Sequence, residues 1–231
     1  MSEAFSLFDA RHYETLDVVR GYGEWAETYD RTVGPDLDIP LLEKLAVIPW
    51  ADLRGAVDLG CGTGRMGEWL RDRGIPEIWG VDRSTAMLER AAAKAIYREL
   101  RTEDIADTSF PTAHFDLATS SLVVCHLHDL AAFYAEVHRL LQPGGYFVEI
   151  DYHPFFLLRG IPTHFDRPSG ESVAIENTVH LFGDRVAAAL ELGWSVRAMH
   201  ERVVDEEWLA RKPSLQRYHR QPISVCTVWQ R

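Results

Sequence analysis

Val57-Asp58-Leu59-Gly60-Cys61-Gly62-Thr63-Gly64-Arg65 is the stretch on which the fold turns. It opens as a brief apolar run, passes through three alternating glycines, and enters residues 65–73 (RMGEWLRDR), whose apolar spacing is helical. Glycines between a strand and a helix let the backbone turn tightly and approach a ligand closely, and the helix beyond offers free N–H groups. In an open α/β sheet such a loop lies at the carboxyl end of its strand, where ligands sit.

Outward from the loop the chain alternates. Residues 77–81 (EIWGV) read as a second strand, and Ser84-Thr85 caps a helix running to Ala95. A polar third strand follows at 97–101 and an apolar fourth at 115–124. Residues 130–141 carry apolar and small side chains at helical spacing, and Pro143-Gly144-Gly145 turns the chain into a strand at 146–150. Helix 184–192 and two late strands, 194–204 and 224–229, complete the set. This order predicts a Rossmann-like, doubly wound α/β fold: a mostly parallel seven-stranded sheet with an antiparallel edge. Residues 152–182 break the rhythm and are expected as a cap insertion. The first fifty residues are aromatic and charged, and 37–46 is helical in spacing, so they are expected as an N-terminal helical lid. With no linker or repeat, residues 1–231 form one domain: lid 1–50, core 54–151, cap 152–182, and helix with edge strands 183–231.

Composition narrows the partners. The 231 residues carry 24 Lys and Arg against 35 Asp and Glu, a net charge of −11. That balance disfavours a sequence-independent grip on nucleic acid or on an anionic membrane surface, both of which need cations. At 46% hydrophobic the chain can bury a full core. It has no basic segment leading an apolar run, no apolar stretch of membrane-spanning length, and three widely spaced cysteines. A cytoplasmic monomer or homodimer without disulfides is the expectation.

Two cofactors compete for the loop. Gly62, Gly64 and Gly67 satisfy the dinucleotide spacing, and Asp82 follows Gly62 by twenty residues, where an acid suits a ribose hydroxyl pair. An NAD-dependent oxidoreductase is therefore one reading. Asp58, at the mouth of the same loop, repels a pyrophosphate and suits a ligand bearing an ammonium or sulfonium. That favours S-adenosylmethionine.

VDLGCGTGR resembles motif I of the class I S-adenosylmethionine-dependent methyltransferases, of the small-molecule type similar to ubiquinone- and biotin-pathway enzymes. Further elements fall in order over residues 22–150. Tyr29-Asp30 resembles the family's tyrosine that closes over the methionine end. Gly80-Val81-Asp82-Arg83-Ser84 with Met87-Leu88 is similar to its acidic ribose site, and Glu103-Asp104-Ile105 to the acid facing the adenine amino group. Phe115-Asp116-Leu117 and Ser120-Ser121-Leu122 look like motif IV, and Leu140-Leu141-Gln142-Pro143-Gly144-Gly145 like the turn before the fifth strand. The resemblance implies methyl transfer to O, N or C of a small molecule, with S-adenosylhomocysteine as product. It implies a cofactor site of Tyr22, Tyr29, Asp58, Gly60, Cys61, Gly62, Gly64, Asp82, Arg83, Met87, Glu103, Asp104, Ile105 and Ser120. Which of Glu103 and Asp104 meets adenine stays open.

For a general base, His153 is the first candidate and His126 the second. His126, Asp151 and His153 match no metal spacing, and no metal is expected. A non-catalytic protein of the same fold is the remaining alternative. Phe155-Phe156-Leu157-Leu158 and the Trp208 region suit either a pocket or plain core, and Cys61 suits a small packing residue.

Overall fold

The alternation resolves, in a computed structural model describing residues 3–231, into one seven-stranded sheet. In chain order its strands are β1 (Gly55–Leu59), β2 (Glu77–Asp82), β3 (Glu99–Thr102), β4 (Phe115–Ser121), β5 (Leu141–Tyr152), β6 (Ser195–Val203) and β7 (Pro222–Gln230). They lie side by side as β3-β2-β1-β4-β5-β7-β6. The first five are parallel, whereas β7 runs antiparallel to β5 and β6 antiparallel to β7.

The main helices are α1 (Val18–Trp25), α2 (Arg65–Asp72), α3 (Thr85–Ala93), α4 (Leu130–Leu140) and α5 (Phe182–Glu191). Strand residues alternate between two apolar faces, as a sheet buried on both sides requires. Ala56, Leu117, Val148 and Val228 meet Met66 and Leu70 of α2 together with Leu41, Leu42 and Leu45. Val57, Ala118, Phe147 and Trp229 meet Phe133, Val137 and Leu140 of α4 and Ala188 and Ala189 of α5. Phe133 is fully buried there, and its truncation to Ala should cost about 3–5 kcal/mol.

Helix starts follow local chemistry. The side chains of Asp17, Ser84 and Asp129 accept the backbone N–H groups of Arg20, Met87 and Ala132, which are otherwise orphaned at a helix start. The expected turn at Pro143-Gly144-Gly145 is a bulge within β5. Leu141 pairs with Phe115 and Tyr146 with Leu117, so four residues loop out against one. The third strand starts later than expected, at Glu99, because Tyr97 turns inward beneath the glycine loop.

The lid and the cap form one body. The N-terminal segment is helical over α1, Tyr29–Thr32 and Ile39–Leu42, but it also supplies two short strands. Glu14–Leu16 runs parallel to Ser172–Ile175, which pairs antiparallel with His164–Asp166, and Glu3–Ala4 pairs with Thr178–Val179. Residues 1 and 2 of the expected lid lie outside the described residues. Leu16, Trp25, Phe165, Val173 and Ile175 share a small core with Leu122. At Gly21 the two pieces touch so closely that a Cβ would stand 2.7 Å from Ile175. No helix among the described residues is long and apolar enough to cross a membrane.

Candidate active site

The glycine loop leaves β1 with Gly60, Gly62 and Gly64 at φ of +72°, +52° and +86°, a region where a Cβ is strained. The N–H groups of Gly60 and Cys61 both donate to the Val81 carbonyl, at 2.8 and 3.0 Å, which ties the loop to the end of β2. A Cβ on Gly60 would lie 2.5 Å from Val123, whereas one on Gly62 would stand in open space. Gly62 is thus the point where a ligand can approach the backbone.

Asp82 ends β2 beside that point. One carboxylate oxygen accepts the Gly62 N–H at 2.9 Å and the other the Ser84 N–H at 2.8 Å. Burial raises its pKa, and these backbone donors pull it back. Each oxygen keeps a lone pair for a hydroxyl donor.

Around this corner opens a cavity of about 280 Å³ at the carboxyl ends of the parallel strands. It gathers ten of the expected residues: Tyr22, Tyr29, Gly60, Gly62, Asp82, Arg83, Met87, Asp104, Ile105 and His126. A smaller cavity of about 40 Å³ adjoins it, and Asp58 and Cys61 line that one together with Tyr29, Gly60 and Gly62. Gly64 stands at the start of α2, outside both linings.

Four expectations are corrected. Glu103 turns away from the cavity and accepts from the backbone N–H (2.9 Å) and hydroxyl of Ser109, so Asp104 is the acid that lines the wall. Ser120 is fully buried and outside both linings, and Ser121 lines the site in its place. The pleat puts adjacent residues on opposite faces, so a one-residue error swaps them. Asp58 does not stand at the open mouth. It is 1% exposed beneath the loop, accepting the Tyr97 hydroxyl at 2.7 Å and the Thr119 hydroxyl at 2.9 Å. Burial pushes its pKa up to about 6 against those donors. Gly67 serves the same arrangement: a Cβ there would lie 2.4 Å from the Tyr97 hydroxyl oxygen.

The fourth correction concerns His153. It lies outside the cavity linings and caps the short helix Pro154–Leu158, its Nδ1 accepting the Phe155 N–H at 3.1 Å. Nε2 therefore carries the proton and donates to Glu201 at 3.0 Å, and the ring packs edge-on against Phe182. Asp151 is buried against Arg185 at 3.2 Å, and its pKa is pushed up to about 6 by burial despite that partner. Among the described residues no three His, Cys, Asp or Glu side chains gather as a metal site.

His126, by contrast, faces the cavity. Its Nδ1 lies 2.6 Å from the Glu176 carbonyl and its Nε2 2.9 Å from the Tyr22 hydroxyl. A carbonyl can only accept, so Nδ1 bears the proton and Nε2 accepts from Tyr22. Burial lowers its pKa to about 4, so the ring is neutral at pH 7.

Two further wall residues, Asp38 and Leu122, are not among the expected site residues. Asp38 pairs with Arg65 at 2.9 Å and accepts the Ser121 hydroxyl at 3.3 Å, in the smaller cavity. Its one sequence trace is a capping position, where it accepts the Ile39 N–H at 2.9 Å just ahead of Pro40. Leu122 lines both cavities at φ +60°, a costly conformation for a branched residue, held by its N–H bond to the Ile150 carbonyl.

Residues 57–148 match the family model described as a methyltransferase domain. Among curated proteins the chain is similar to a malonyl-[acyl-carrier protein] O-methyltransferase of Pseudescherichia vulneris. The two are 33% identical over 133 residues, covering 55% of this chain and 50% of that one. An uncharacterized methyltransferase of Emericella nidulans is 27% identical, with 87% of this chain and 86% of that one covered. The chain thus spans about half the length of the first of these relatives. Among solved structures, an S-adenosylmethionine-dependent methyltransferase from Mesorhizobium loti superposes with a TM-score of 0.67 at 25% identity, covering 83% of this chain and 96% of that one.

Proposed function

We propose that this chain is a class I S-adenosylmethionine-dependent methyltransferase that methylates an O, N or C atom of a small molecule admitted beneath the lid, a reading supported by the family match over residues 57–148 and by the shared fold. The observation that carries this reading is the corner formed by Asp82 and Gly62: an anchored carboxylate beside a loop whose backbone lies open to a ligand.

The residues present fit the cofactor. Asp82 has the lone pairs to accept a ribose hydroxyl pair, Asp104 can accept from the adenine amino group, and Met87 and Ile105 give the base an apolar bed. Asp38 and Asp58 add negative potential at the other end, suited to a cationic group. Bound there, S-adenosylmethionine supplies a methyl group made electrophilic by its sulfonium. The chain's own work is then to align the acceptor atom in line with that methyl at about 3–3.5 Å and to exclude water. Tyr22, Tyr29 and the interlocked lid suit that role. The oxidoreductase reading loses support at Gly67, which accommodates Tyr97 rather than a pyrophosphate.

Calorimetry with S-adenosylmethionine and with NAD tests this reading. Binding of the former is expected, and binding of NAD in its place would sink the proposal. A protein that binds the cofactor yet releases no S-adenosylhomocysteine with any acceptor would be a binding protein of this fold.

A further inference from the structure

We propose that the acceptor is an uncharged aromatic hydroxyl whose proton passes through the Tyr22 hydroxyl to Nε2 of His126. This rests on the methyltransferase reading above and names the acceptor class for the same site. The sheet order sets the two sides of the cavity apart. The ends of β2 and β3 bring Asp82, Arg83 and Asp104 to one side, and β4 opens toward Leu122 and His126 on the other, under Tyr22 and Tyr29.

The formally charged side chains of the large cavity stand on the first side or, with Asp129, cap the start of α4. Within the large cavity the lid side offers a carboxylate or phosphate acceptor no countercharge and an ammonium acceptor no carboxylate. In the adjoining smaller cavity Asp38 and Arg65 are paired with each other at 2.9 Å. What it does offer is aromatic. Tyr22 stacks on Trp25 with centroids 5.9 Å apart, and Tyr29 meets Trp25 edge-on at 4.9 Å. A rigid aromatic wall suits a flat ring.

One polar group then serves the reacting oxygen. The Glu176 carbonyl fixes the His126 tautomer, so the Tyr22 hydroxyl donates to Nε2 and its own lone pairs remain for an incoming O–H. As the acceptor oxygen bonds to the methyl carbon, the carbon–sulfur bond breaks and its electron pair stays on sulfur. The acceptor proton moves to the Tyr22 oxygen while the Tyr22 proton moves to Nε2. The products are an aryl methyl ether, S-adenosylhomocysteine, neutral Tyr22 and an imidazolium at His126, so the positive charge passes from sulfur to the ring. An ether oxygen that still holds its proton is far more acidic than imidazolium, so even a weakly basic imidazole accepts it late in the step. Tyr22 is the catalytic residue here, and His126 takes the proton through it.

The test uses three probes of equal shape: 2-naphthol, 2-naphthoic acid and 2-naphthylamine. Methylated product and S-adenosylhomocysteine are followed by mass spectrometry, and cofactor affinity by calorimetry. Transfer to 2-naphthol is expected, with Tyr22→Phe lowering kcat about 100-fold while cofactor Kd stays within about threefold. His126→Gln keeps an oxygen to accept the Tyr22 hydrogen bond but cannot hold the proton, and the same loss is expected. A solvent deuterium isotope effect on kcat, present in the parent and absent in Tyr22→Phe, marks the relay. Full turnover in His126→Gln would make that histidine structural and overturn the relay. Preference for the acid or the amine, or no transfer to any probe by cofactor-loaded protein, overturns the acceptor class and leaves the cofactor reading intact. Failure to bind the cofactor at all removes the reading beneath it.

Discussion

The two walls of the cleft are built at different distances along the chain. On one side, Gly60, Gly62, Asp82 and Met87 come from a single strand–loop–helix–strand–helix unit, and their contacts are fixed as soon as β1 and β2 pair. On the other, Tyr22, His126 and Glu176 meet from three segments separated by 104 and 50 residues. The first wall is a property of a local motif. The second depends on the whole fold being in place, because Glu176 reaches His126 from the end of the cap and Tyr22 from the lid. On the proposed reading, cofactor recognition belongs to the local wall and acceptor recognition to the distant one.

Variants can separate the walls. The largest effect is expected at Asp82: Asp82→Ala removes charge-assisted hydrogen bonds on the local wall. It should weaken S-adenosylmethionine by about 2–3 kcal/mol, roughly 30- to 150-fold in Kd by calorimetry. Unchanged affinity would remove the ribose role from Asp82. Next comes the pH dependence of the distant wall. His126 has a folded pKa of about 4 against an ordinary 6.5, so between those values the unfolded chain binds more protons. Stability is therefore lost as pH falls from about 6.5 toward about 4. Denaturant unfolding at pH 7 and pH 5 should show a smaller drop in His126→Gln than in the parent, and equal drops would contradict the burial of that ring.

Smaller effects refine the comparison. His153→Ala should cost about 1 kcal/mol through the lost cap, lowering Tm, with turnover retained. Loss of turnover at unchanged cofactor affinity would return His153 to the chemistry. The lid clasp at Arg167, which reaches Glu14, Glu24 and Glu171, lies at the surface. Arg167→Ala should therefore leave the global unfolding midpoint nearly unchanged. It should still raise amide exchange across Glu14–Leu16 more than across β1, and an even rise would show that the lid opens only with global unfolding. Glu103→Gln, at the rim, should leave cofactor Kd within about twofold, while Asp104→Asn should not.

How much was legible in the sequence follows the same division. The glycine loop, Asp82 and the strand–helix order could be read because neighbours in sequence are neighbours in space. Choices that hang on one residue of register could not. Ser120 against Ser121 is decided by the pleat at the end of β4, and Glu103 against Asp104 by the loop just past β3, where Ser109 draws Glu103 away. His153 follows the fifth strand as a catalytic residue would, yet Pro154 starts a helix there and turns the ring into a cap. The lid strands, two and three residues long, have no period to detect, and their partners lie more than 150 residues away.

That pairing has a consequence for how the protein is made. Glu14–Leu16 has no edge to join until Ser172–Ile175 has left the ribosome, and Tyr22 has no settled partner until His126 is held by Glu176. During synthesis the core sheet can assemble from β1 to β5 while the aromatic N-terminal segment waits, its Trp25 face exposed. The roof over the cavity is therefore acquired late, after the glycine-loop corner and ahead of the edge strands β6 and β7.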